Sequence, residues 1–184
     1  MEGDGMRRTD ADEFRRFTLA NAAALRRSAY LLCGDWHLAE DLMQATLVKV
    51  YQAWSRITEP ELARSYVRTV LLRTWLDEKR RPWRRSERRD GELPDVADAD
   101  ADPQQDAQRG WRRDLVRRAL LSLPPGQRAV LVLRYYDELS VAETAAALGC
   151  AEGTVKSQSA KGLARLRAHI ARLDASAVLE GVPW

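Results

Sequence analysis

Thr154, Ser157, Lys161 and Arg165 recur three or four residues apart, so on a helix they form one row of hydrogen-bonding and cationic side chains. Val155, Gly162, Leu163, Leu166 and Ile170 fall on the opposite side, and Gln158 flanks the polar row. Such a helix can bury one face in a small bundle and hold the other against base edges in the major groove. Thr154, Lys156 and the arginines are then placed to hold phosphates. A plain surface helix has the same pattern, so the row alone leaves both readings open.

The front half carries a second chemistry. Arg73, Trp75, Lys79, Arg80, Arg81, Trp83, Arg84 and Arg85 mix cations with indoles in one stretch. Nucleic acid can take both kinds: charge for phosphates and flat aromatic faces for bases. A solvated basic helix end is the plainer reading of the same run. A third face lies upstream, where Asp41, Gln44, Val48 and Tyr51 stand at helical spacing beside an apolar stripe of Leu42, Met43, Leu47, Val50 and Trp54. That layout suits a helix with one face in the core and another against a partner, or an ordinary core helix with some exposed apolar residues.

Helices must position all three faces, and the pattern is helical nearly throughout, with no convincing alternating strand. A first helix starts at Asp10 and is ended by Gly34; a second covers Trp36–Trp54. In "TEPE", Thr58 is a candidate N-cap, with Glu61 three residues on and Pro60 in the tolerant first turn, and the third helix stops before Pro82. Lys79–Arg89 holds seven basic residues against one acid, and Asp90–Asp106 then holds seven acids and no base. With Pro94, Pro103 and almost nothing to bury, the acidic stretch reads as a flexible linker. An amphipathic helix resumes at Trp111–Leu123, "PPG" breaks it, and three short helices follow, ending near Ile170. Ser140 and Glu143 form a capping-box pattern before Val141–Leu148, and Gly149 suits the sharp turn that follows.

The reading is therefore all-α, with two small helical domains. Residues 1–86 form the first, 87–109 the acidic linker, 110–174 the second with its helix-turn-helix, and 175–184 a tail.

From Leu121 the chain reads "LSLPPGQRAVLVLRYYDELS" and continues "VAETAAALGCAEGTVKSQSAKGLARLR". These residues resemble region 4 of the sigma-70 family of bacterial RNA polymerase sigma factors, most closely the extracytoplasmic-function (ECF) group. "HLAEDLMQATLVKVYQAW", His37–Trp54, is similar to region 2.2, and "SYVRTVLLRTWLDEKRRPWRR" to regions 2.3 and 2.4. The resemblance implies a promoter-specificity subunit, not an enzyme, that binds core RNA polymerase and promoter DNA. Region 2.2 would place Asp41, Gln44, Val48 and Tyr51 on the β′ clamp. Regions 2.3 and 2.4 would melt the −10 element with Arg73, Trp75, Lys79, Arg80, Arg81, Trp83 and Arg84. Region 4 would read the −35 element with Thr154, Lys156, Ser157, Gln158, Lys161 and Arg165, and would touch the β flap. The linker would thread the polymerase channels, and an anti-sigma factor would be a further partner. Ala151 stands where family members often carry Ser, which leaves the recognition helix without a side-chain N-cap.

Composition agrees with this class and excludes others. The net charge is only +3, but it is arranged in blocks. No signal-peptide pattern and no run approaching about 18 apolar residues appears, so a cytoplasmic protein without membrane insertion is expected. Cys33 and Cys150 form no disulfide framework, and Cys33 with His37 lacks two of the four ligands a structural zinc needs. Neither histidine sits in a recognisable catalytic arrangement and no glycine-rich phosphate loop appears, so neither an enzyme nor a cofactor is expected. The competing reading is a stand-alone dimeric helix-turn-helix regulator, which needs a dimerisation helix that "LDASAVLEGVPW" is too short to supply.

Overall fold

The computed structural model describes residues 8–57, 60–80 and 103–179. Thr58, the cluster Arg81, Trp83, Arg84 and Arg85, most of the acidic stretch and residues 180–184 lie outside them. Among the described residues all regular structure is helical.

Helices α1 (Arg8–Cys33), α2 (Trp36–Ala53) and α3 (Pro60–Arg80) build the front half, with a 3-10 turn at Trp54–Arg56. Their buried positions follow helical spacing: Leu25, Ala29 and Leu32 on α1; Ala39, Leu42, Thr46 and Val50 on α2; Ala63, Val67 and Leu71 on α3. Gly34 ends α1 as expected, at φ +81°, and its N–H donates to the Tyr30 carbonyl at 2.7 Å. Asp35 then caps α2, its carboxylate accepting from the Leu38 N–H at 2.8 Å. Phe14 and Phe17 pack their rings on Trp54, with centroids 5.2 and 5.0 Å away.

The back half comprises α4 (Pro103–Leu121), α5 (Pro125–Leu131), a π turn at Val132–Tyr136, α6 (Val141–Leu148) and α7 (Glu152–Leu179). Helix α4 begins well before Trp111, inside the acidic stretch; proline is at home in a first turn, and the Gln, Ala and Arg after it favour helix. Helix α7 outlasts the expected end near Ile170, because no glycine or proline interrupts the chain before Gly181. Leu120, Leu123 and Leu131 pack against Leu163 and Leu166, while Val130, Ala145 and Val155 form a neighbouring cluster. A Cβ at Gly162 would stand 3.2 Å from Leu131 Cγ, so the missing side chain lets α7 approach α5 closely.

The two halves share a core. Ala129, Val132, Leu133, Leu139 and Ala147 belong to the same buried cluster as Leu25, Leu71 and Trp75. Arg128 crosses the boundary: its guanidinium donates to the carbonyls of Leu32 at 2.8 Å, Leu121 at 2.6 Å and Leu123 at 3.2 Å. Burial of Arg128 lowers its pKa from the ordinary arginine value.

Candidate nucleic-acid and polymerase interfaces

The helix-turn-helix forms as its residues dictate. Ser140 Oγ accepts from the Glu143 N–H at 3.1 Å, and the Glu143 carboxylate accepts from the Ser140 N–H at 2.7 Å. This reciprocal cap holds the Glu143 carboxyl below its ordinary range, through the hydrogen bonds from Ser140. Helix α6 ends at Gly149, whose φ of +65° and ψ of +38° make the turn into α7.

Helix α7 divides as its sequence pattern requires. Val155, Ser159 and Gly162 face inward, while Thr154, Lys156, Ser157, Lys161 and Arg165 are exposed and Gln158 is half-buried. The −35 candidates thus lie together on one open surface, with two of them held from within the protein. Arg165 Nη1 donates to Gln127 Oε1 at 3.1 Å, and Lys156 Nζ lies 4.0 Å from Glu152. Ala151 offers no side chain to cap α7; its carbonyl accepts from the Thr154 N–H at 2.9 Å. Gln127 and Tyr135, whose hydroxyl lies 3.1 Å from Ser159 Oγ, support this helix from outside the expected set. Their signal was the helix-turn-helix itself, which must be braced by the elements ahead of it.

On α2 the polymerase candidates share the solvent face. Asp41 and Gln44 are exposed, Val48 is 58% exposed and Tyr51 44%. An open valine and tyrosine one turn apart on a helix whose other face is core suit a partner surface. Phe14 braces the tyrosine edge-on at 5.1 Å between centroids.

The −10 candidates do not all stay together. Arg73, Lys79 and Arg80 are exposed on α3, whereas Arg81, Trp83 and Arg84 fall outside the described residues. Trp75 departs from its expected role: it is 1% exposed and belongs to the core. It continues the stripe Ala63, Val67 and Leu71 at intervals of four residues, which turns the indole inward and away from any base. Lys79 Nζ lies over that ring, 5.6 Å from its centroid.

Comparison with known proteins bears on what these faces serve. The family model for Sigma-70 region 2 matches residues 18–85, and that for Sigma-70, region 4 matches residues 113–166. The RNA polymerase sigma-E factor of Streptomyces avermitilis is 38% identical over 169 residues, covering 90% of this chain and 89% of the relative. The ECF RNA polymerase sigma factor SigL of Mycobacterium tuberculosis is 34% identical over 160 residues, covering 83% and 86%. The chain belongs to the ECF sigma factors of the sigma-70 family.

The fold of this sigma factor agrees with solved structures. The sigma factor RpoE of Bartonella quintana, solved in complex with the anti-sigma factor NepR, is 24% identical with a TM-score of 0.68, covering 86% of this chain and 96% of that one. CnrH, solved with the cytosolic domain of CnrY, is 23% identical with a TM-score of 0.58, covering 88% of each chain. No helix among the described residues of the sigma factor is long and apolar enough to cross a membrane. The described residues also hold no group of three or more His, Cys, Asp and Glu able to bind a metal. Burial pushes the Cys33 thiol up to about 11, and its Sγ donates to the Asp35 carbonyl at 3.1 Å. That is the behaviour of a packed side chain.

Proposed function

We propose that this sigma factor binds core RNA polymerase and directs it to promoters by reading two DNA elements. Region 2 meets the β′ clamp through Asp41, Gln44, Val48 and Tyr51. Arg73, Lys79 and Arg80, with Arg81, Trp83 and Arg84 beyond the described residues, hold the opened −10 element. Region 4 reads the −35 element through Ser157 and Gln158, with Thr154, Lys156, Lys161 and Arg165 on phosphates, and touches the β flap. The chain acts in the cytoplasm with polymerase, performs no catalysis of its own, and is subject to capture by an anti-sigma factor.

The observation that supports this reading best is the division of α7. Its apolar side is sealed by Val155 and Gly162 while its donors stay open to solvent. A single reading head buries little surface and binds duplex weakly; a second site on the same polymerase raises its effective concentration.

Comigration of the full chain with core RNA polymerase on a sizing column tests the first step. A stable complex is expected for the native chain and loss of it for Val48→Asp. No complex with core, together with tight binding of a palindromic duplex by a dimer, would overturn the reading.

A further inference from the structure

Arg165 reaches a partner inside region 4 because α5 and α7 lie close together. A Cβ at residue 162 would meet Leu131 Cγ at 3.2 Å and Gln127 Cβ at 3.4 Å, so the glycine there lets the two helices approach. Arg165 lies about one turn further along α7, and its Nη1 donates to Gln127 Oε1 at 3.1 Å. Gln127 is 6% exposed, whereas Arg165 opens to solvent.

The acceptor is neutral, and that sets Arg165 apart from nearby cations. Arg117 and Arg118 of α4 sit on the Asp114 carboxylate at 2.6 and 2.5 Å, and Lys156 lies 4.0 Å from Glu152. Arg165 has no carboxylate partner among the described residues. A carboxylate in place of the Gln127 amide would also hold the guanidinium, but it would offset the charge that a phosphate must meet. The amide holds the planar fork through one nitrogen and leaves its other N–H groups and its full charge available. A free arginine loses rotamer freedom when it meets DNA; here part of that loss is taken on folding.

We propose that Gln127 is a positioning residue for the −35 contact, fixing the Arg165 guanidinium toward the phosphate backbone without cancelling its charge. The gain in DNA affinity rests on the functional reading above; the hold of Gln127 on Arg165 does not.

The test separates orientation from charge. Core RNA polymerase assembled with the full chain is titrated with a short duplex carrying only the upstream element of a promoter it uses, at several salt concentrations. Gln127→Met keeps the bulk and removes the acceptor. Affinity is expected to fall about three- to tenfold, with the slope of log K against log salt unchanged. Gln127→Glu keeps an acceptor and adds charge, and the slope is expected to fall by about 0.9. In an Arg165→Ala background neither substitution should change affinity or slope further. In the free full chain, nitrogen-detected NMR should find slower rotation of the Arg165 guanidinium in the native protein than in Gln127→Met.

Native affinity in Gln127→Met overturns the proposal, as does an equal loss in both backgrounds. An unchanged slope in Gln127→Glu, or in Arg165→Ala alone, overturns it too. Should thermal unfolding show that Gln127→Glu does not fold, the Gln127→Met cycle decides by itself. Equal guanidinium rotation in native and Gln127→Met chains overturns the hold. A native complex that binds the duplex no better than a scrambled one overturns the functional reading, and the NMR comparison still decides whether Gln127 fixes Arg165.

Discussion

Ser28 on α1 and Asp137 at the end of the π turn stand 109 residues apart in sequence and share a buried hydrogen bond of 2.6 Å. Burial raises the Asp137 carboxyl above the ordinary carboxylate range, in spite of the Ser28 hydroxyl and the nearby Arg68 charge. The pair thus joins the two halves through a buried polar contact as well as through their shared apolar core.

Trp75 is a core residue, so Trp75→Ala should destabilise the chain by about 3–5 kcal/mol, read by urea denaturation. Arg73→Ala, at an exposed site on the same helix, should leave stability within about 0.5 kcal/mol and weaken binding to opened DNA. Equal stability losses from the two would contradict this assignment.

Helix α7 begins without a side-chain cap. Ala151→Ser should supply a hydroxyl to the Thr154 N–H and raise stability by about 0.5–2 kcal/mol, seen as a higher midpoint in thermal unfolding. An unchanged or lower midpoint would show that the cap geometry is not available.

Lys161 is exposed on the reading face of α7. If it neutralises a phosphate, Lys161→Ala should reduce the slope of log K against log salt for promoter duplex by about 0.9. A change in affinity with an unchanged slope would assign Lys161 to base readout.

The raised Cys33 pKa fixes the sign of a pH effect. Between about 8.5, where an unfolded thiol ionises, and about 11, the folded chain keeps a proton that the unfolded chain releases. Stability should therefore fall as pH rises through this window, by roughly 3 kcal/mol at its upper end. Cys33→Ser should flatten that decline while leaving the smaller Tyr30 contribution, which has the same direction. Identical alkaline profiles in guanidinium titrations would contradict the assignment.

Local chemistry made much of this fold legible. Ser140, Glu143 and Gly149 define α6 by capping and turn geometry alone, and the inward and outward rows of α7 follow from their spacing. Trp75 stands among cationic neighbours that suggest DNA, although the stripe from Ala63 through Leu71 places it in the core. The buried Asp137 contact has no comparable signature. A π turn has no sequence pattern of its own, and the partners of Asp137 lie far away in the chain, on α1 and α3. Arg128 has no sequence signature for the same reason, since one of the carbonyls it serves, that of Leu32, belongs to the other region.

The most direct test of the central claim is transcription itself. Core RNA polymerase would be incubated with genomic DNA fragments, with and without the full chain, and the 5′ ends of the transcripts sequenced. The account predicts a set of starts that depend on the chain and share two upstream sequence elements at fixed spacing, with Lys161→Ala reducing their use. Transcripts that start at the same places with and without the chain would contradict it.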